Sequence, residues 1–187
     1  MRIERNHTRN VVLTGMMAAI IAVVSQIIIP MPSGVPLTIG VFAVALSGAV
    51  LGWKRGFFAA LVYVFAGAVG APVFAGFKGG AQVLVSMTGG YLWIYPLLAM
   101  LSGAALKGKN KSINYAFNMV SALAGLALLE LVGGLWWAHL SESMDLRAIM
   151  AYSFAAFIPK DCILTILAVV IGRQIRKTLI RCGLMDS

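Results

Sequence analysis

Long apolar runs that carry almost no charge constrain this chain more than any motif does. Val11 to Pro30, Pro36 to Gly52, Gly56 to Gly70, Thr88 to Leu106, Ile113 to Trp137 and Tyr152 to Gly172 are separated by basic clusters, prolines and glycines. A helix needs about 20 apolar residues to cross the hydrocarbon layer. Most of these runs meet that length, and the third is short. Their apolarity is continuous and does not alternate with period two, which argues against an outer-membrane barrel. With 60% of its 187 residues hydrophobic and 11% charged, the chain has too little polar surface for a soluble enzyme or receptor domain. The expected architecture is all-α, a single membrane domain over residues 1–187 with six transmembrane helices.

Basic residues orient these spans. Cytoplasmic loops collect Lys and Arg, and with both termini in the cytosol every Lys and Arg falls inside except Lys78, Arg147 and Lys160. The net charge of +9 is therefore read as topology rather than as a nucleic-acid surface, because the cations lie between apolar runs. Tyr91, Trp93, Tyr95, Trp136, Trp137 and Tyr152 fall at the outer ends of spans, where aromatic belts form. The first run ends in Ile-Ile-Pro rather than a small-residue cleavage site and is read as a retained span. Cys162 and Cys182 are too far apart along one helix to bridge.

Residues 70–90, between the third and fourth spans, are rich in glycine and apolar yet contain Pro72 and a lone cation, Lys78. Phe74 and Phe77 are too apolar for a solvated loop, so this segment is expected to fold back as an outer lid. Polar groups inside the spans are few. An Asp or Lys near the bilayer centre costs about 2.5–3.5 kcal/mol, which makes each a functional candidate. Lys160 and Asp161 follow Pro159, roughly 13 Å below the outer end of the sixth span at 1.5 Å per residue. They are expected to form the polar floor of an outward-facing cavity. Glu130, in the outer half of the fifth span, is either a charge partner of Lys160, Lys78 or Arg147 or a ligand contact.

Other patterns are set aside on physical grounds. Gly103 to Asn110 matches a phosphate-binding loop except at its last position, but it leaves a membrane span and lacks the magnesium-binding hydroxyl. The chain thus carries no nucleotide engine of its own. His139, Ser141, Glu142 and Asp145 fit no nucleophile spacing and read as a solvated loop. No catalytic residue, metal ligand or cofactor is expected. Gly15 with Ala19, and Ala18 with Ala22, space small side chains so that another helix can approach, within the chain or from a second subunit.

Several of these segments resemble the BioY family, the biotin-specific substrate-binding (S) subunits of energy-coupling factor transporters. The matching stretches are GAPVFAGFKGG (Gly70 to Gly80), TGGYL (Thr88 to Leu92), VPLT (Val35 to Thr38), LGWKRG (Leu51 to Gly56) and FIPKD (Phe157 to Asp161). The resemblance covers nearly the whole chain in order. It implies a multi-pass subunit of a bacterial cytoplasmic membrane that captures biotin from outside. It also implies association with a transmembrane coupling (T) subunit and two ATPases. By this similarity Asp161 accepts hydrogen bonds from the ureido group, Thr88 and Tyr91 build the pocket wall, and Phe74 and Phe77 cover the ring system. The ligand carboxylate is expected near Lys78 or Lys160, Thr38 belongs to the site motif, and Ala18 and Ala22 meet the coupling subunit. Two positions depart from the family pattern: Gly40, where Gln is usual, and Leu164, where Lys is usual. A related ring acid such as lipoate is the competing ligand, and a small secondary transporter the competing class.

Overall fold

The computed structural model describes residues 2–31, 35–105, 111–141 and 146–185. Among these residues eight helices and a two-stranded hairpin follow one another. They are α1 (Arg2–Val24), β1 (Ile28–Ile29), β2 (Leu37–Thr38), α2 (Gly40–Leu51), α3 (Trp53–Ala68), α4 (Ala81–Leu84), α5 (Gly89–Ser102), α6 (Lys111–Leu140), α7 (Leu146–Ala156) and α8 (Ile158–Arg181).

The six apolar runs map onto α1, α2, α3, α5, α6 and the pair α7–α8, but not as six plain rods. The first run stops being helical at Val24. Its remainder enters β1, which pairs antiparallel with β2 through Ile28↔Thr38 and Ile29↔Leu37. The last run breaks at Phe157, where α7 and α8 meet at a bend of 43°. Among the described residues, Ser112–Leu140 alone is long and apolar enough to cross a bilayer, and the bent pair passes the same test together; α1 and α2 hold shorter apolar stretches. The residues that resembled a phosphate loop at 106–110, and Glu142 with Asp145, lie outside the described residues.

A helix that is hydrophobic all round belongs in an interior, and α2 is buried at every position except Phe42. It forms the axis of the bundle, packed by α1, α3, α5 and α8. Close approach depends on glycine where α2 meets α5. A Cβ at Gly48 would overlap the Ala99 carbonyl, and one at Gly103 would press on the Gly48 carbonyl. Large apolar side chains also cover the outside: Val12 and Met16 on α1, Phe58 and Phe65 on α3, Val120 and Leu131 on α6, and Ile163 on α8 are all exposed. Such a surface is costly in water and carries no penalty against lipid tails.

Because overpacking at a backbone crossing costs about 1–3 kcal/mol or more, Gly48→Val is expected to destabilise the bundle by about 3 kcal/mol. Thermal unfolding in detergent reads this directly, and a melting point equal to the wild type's would show that the α2–α5 contact is not tight at Gly48.

Candidate functional site

A cavity of about 720 Å³, including its open mouth, lies at one end of the bundle. Its walls come from every part of the chain: Thr38 from the hairpin, Tyr63 from α3, Phe74 and Lys78 from the 70–80 loop, Tyr91 and Tyr95 from α5, Glu130 from α6, and Lys160 with Asp161 from α8.

One wall is aromatic. Tyr63 stacks on Tyr95 with ring centroids 6.2 Å apart and meets Phe74 edge-on at 5.6 Å; Tyr91 and Phe157 tilt together at 6.1 Å. Phe74 reaches this position because Gly67 on α3 leaves its ring room, where any Cβ would collide with it. Tyr91 and Tyr95, four residues apart, share the inward face of α5. This corrects the belt assignment for both tyrosines; Trp93 stays exposed, its Nε1 donating to the Leu84 carbonyl at 3.1 Å. Trp137, also placed in the belt from sequence, is 1% exposed and packs on Tyr152.

The floor is ionic. Pro159 stands in the first turn of α8, where its missing N–H costs nothing and its fixed φ suits a helix start. The break therefore turns the middle of a long apolar segment into a helix N-terminus, and Asp161 sits in that first turn, where negative charge is favoured. Lys160 Nζ donates to the Thr38 carbonyl at 2.7 Å and lies 2.8 Å from Asp161 Oδ1. The second contact is an ion pair, so the carboxylate of Asp161, a residue 2% exposed, is held by the ammonium. Adjacent positions on a helix point to different sides of it. The helix start at Phe157 and the long lysine side chain bring the two together.

Glu130, 1% exposed, also faces the cavity. Its Oε2 accepts from Ser153 Oγ at 3.3 Å, and Ser153 Oγ in turn meets the Tyr91 hydroxyl at 3.3 Å. At Gly40 the absent side chain leaves a space bounded by hydroxyls: a Cβ there would stand 2.8 Å from Ser25 Oγ, 3.3 Å from the Tyr95 hydroxyl and 3.4 Å from Thr38 Oγ1. Ser25, Tyr63 and Tyr95 were not singled out from sequence as site residues. The four-residue spacing of Tyr91 and Tyr95 was the available signal for Tyr95, while Ser25 and Tyr63 carried none.

Of the expected site residues, Thr38, Phe74, Lys78, Thr88, Tyr91, Glu130, Lys160 and Asp161 line the cavity. Phe77 does not: it has a left-handed φ of 56° and points outward, 72% exposed. Leu164 also stands outside the lining. The small-residue pairs of α1 separate as well. Ala18 is buried and Ala22 packs on the core, whereas Gly15 and Ala19 face outward. His139 is exposed at the end of α6, outside the cavity lining.

The 70–80 loop is fastened by one side chain. Gln26 Nε2 donates to the carbonyls of Ala22 and Val73, each at 2.9 Å, and its Oε1 accepts from the Phe77 amide at 2.8 Å. Phe74 and Lys78 also exchange backbone hydrogen bonds across the turn.

The BioY family model matches residues 1–181. The chain belongs to the BioY family. A biotin transporter BioY of Thermotoga maritima is 38% identical over 172 residues, covering 90% of this chain and 96% of the relative. A probable biotin transporter BioY of Pyrococcus horikoshii is 33% identical, with 90% and 96% covered. Among solved structures, the S-component for biotin from an ECF-type ABC transporter superposes with a TM-score of 0.80 at 26% identity, covering 92% of this chain and 93% of that one.

Gln26→Ala is expected to accelerate amide hydrogen exchange at Phe77 by about tenfold or more, since the acceptor for that N–H is lost. Exchange at the wild-type rate would mean that the glutamine does not hold the loop.

Proposed function

We propose that this chain is the biotin-capturing S-component of an ECF-type ABC transporter, binding the vitamin without chemical change. One observation carries the reading: a cavity floored by Asp161 and Lys160 within a fold that follows the biotin S-component over 92% of the chain. Biotin presents a fused ring with a polar ureido edge and an aliphatic tail ending in a carboxylate. The ring lies against Tyr63, Phe74, Tyr91 and Tyr95, and the ureido edge meets Asp161. Lys160 is occupied by Asp161 and the Thr38 carbonyl, so the tail carboxylate is assigned to Lys78 at the mouth.

In this reading the chain crosses a bacterial cytoplasmic membrane six times with both termini inside, and the cavity opens outward. The loop over residues 70–90 acts as the lid, anchored by Phe74 and Gln26. Phe74 supplies the ring contact, and outward-facing Phe77 is left for the lid's outer surface. Energy comes from a coupling subunit and two ATPases. The docking face is the outward side of α1, where Gly15 and Ala19 lie among exposed Val12, Met16 and Val23. Ala18 is taken up by the chain's own core, and Ala22, partly buried, packs against it.

Detergent-purified protein is expected to bind biotin, and Asp161→Asn to weaken binding at least tenfold, about 1.4 kcal/mol, by calorimetry. Unchanged affinity removes Asp161 from the site, and competition by lipoate as strong as by biotin itself would reassign the ligand. Ala19→Trp is expected to abolish co-purification with the coupling subunit while leaving biotin affinity intact; retained assembly moves the docking face elsewhere.

A further inference from the structure

Ser25 is a buried polar residue of the cavity that the reading above leaves idle. Helical hydroxyls elsewhere in the chain turn back on their own backbone: Thr14 donates to the Asn10 carbonyl at 2.8 Å, Ser47 to Val44 at 2.7 Å and Thr178 to Gln174 at 3.2 Å. Ser25, just past the end of α1 and 2% exposed, does not, and its Oγ has no hydrogen-bond partner among the described residues. Ser102 and Thr165 share that state but stand outside the cavity lining, whereas Ser25 is part of it. A hydroxyl carries one proton and two lone pairs, so even one that accepts from a neighbouring tyrosine still needs an acceptor for its own proton. Without that acceptor it bears its full desolvation penalty.

Gly40 sets the geometry around it. The point where a Cβ would stand on Gly40 is 2.8 Å from Ser25 Oγ, 3.3 Å from the Tyr95 hydroxyl and 3.4 Å from Thr38 Oγ1. Three hydroxyls, from the end of α1, the hairpin and α5, thus gather around the one residue that offers no side chain, and all three of their residues line the cavity. This cluster adjoins the ionic floor, because Thr38 also gives its backbone carbonyl to Lys160 Nζ at 2.7 Å, and that ammonium lies 2.8 Å from Asp161 Oδ1. Hydroxyl donors therefore stand beside a carboxylate acceptor. The complement is a ring edge on which a carbonyl oxygen and an N–H lie side by side. We propose that Ser25, with Thr38 and Tyr95 around Gly40, forms a hydroxyl cradle for the carbonyl oxygen of a cyclic urea head group, which makes Ser25 and Gly40 specificity-determining positions. This rests on the biotin-capture reading, which sets the N–H edge against Asp161, and it adds a discrimination that Asp161 does not supply. The carboxylate reads the donor of the ring, and the hydroxyls read its acceptor. A ring acid whose head has no carbonyl, such as the dithiolane of lipoate, leaves the hydroxyls unpaired and is rejected on that ground.

The test compares biotin with 2-thiobiotin, in which sulfur, a weak acceptor, replaces the urea oxygen. Both affinities are measured on the full chain in detergent for the wild type, Ser25→Ala and Gly40→Ala. Wild-type protein is expected to favour biotin by about tenfold or more. Ser25→Ala is expected to bind biotin about tenfold weaker and 2-thiobiotin almost unchanged, so that the preference collapses. Gly40→Ala places a methyl group against Ser25 Oγ and is expected to collapse it as well. Equal wild-type affinities overturn the proposal whether or not either variant folds. So does a Ser25→Ala protein in which both affinities fall together at a fixed ratio, the signature of a purely structural hydroxyl. A preference that widens in Gly40→Ala shows the site reading the size of sulfur rather than the acceptor, and overturns it too. Wild-type protein that binds neither ligand overturns the capture reading and this inference with it, whereas tight biotin binding with a ratio that neither substitution moves overturns the inference alone.

Discussion

The break between α7 and α8 is the constraint from which the site follows. A helix running unbroken through this segment would carry Lys160 and Asp161 as charges in mid-span with no free backbone near them. The bend of 43° and Pro159 in the first turn of α8 instead create a helix N-terminus there. Asp161 sits where the helix dipole favours an anion, and Lys160 reaches both that carboxylate and the Thr38 carbonyl. The lysine thereby couples the floor to the short hairpin between α1 and α2, joining parts of the chain more than a hundred residues apart.

Around that floor the chain keeps an apolar core and also turns large apolar side chains outward, a surface suited to lipid rather than to water. The buried axis α2 keeps the bundle tight through backbone crossings at glycine, and the aromatic wall leans on the same device where Phe74 occupies the space over Gly67. The loop bearing Phe74 is held by Gln26, whose amide uses its donor and its acceptor on backbone groups that would otherwise be unpaired near an apolar surface. The loop and the cavity wall therefore draw on one connected set of contacts, because the residue that packs the loop against α3 also lines the cavity.

Much of this was legible in the sequence. Continuous apolar runs announce helices for lipid, and charged residues within them are rare enough that Glu130, Lys160 and Asp161 stand out without any structure. The glycine-rich apolar stretch after the third run was equally conspicuous and does line the cavity, through Phe74, Ala75 and Lys78. Inward and outward faces were less legible. Tyr91 and Tyr95 have the composition of an interfacial belt and instead build the wall, and Ala18 with Ala22 has the spacing of a docking face and instead packs the core.

Apolar length, the proline before a charged pair and the scarcity of buried charge are properties of the chain itself, since they follow from what each residue costs in lipid wherever its neighbours lie. They determined a helical membrane protein with a polar site near Asp161. Which side of a helix meets the cavity depends on how the helices are rotated against one another. That rotation is set by close contacts between residues distant in sequence, such as Gly48 with Ala99 and Gly67 with Phe74. Only the tertiary structure therefore decided that Phe77 turns away, that Gly15 and Ala19 face out, and that Glu130 lines the cavity beside Ser153.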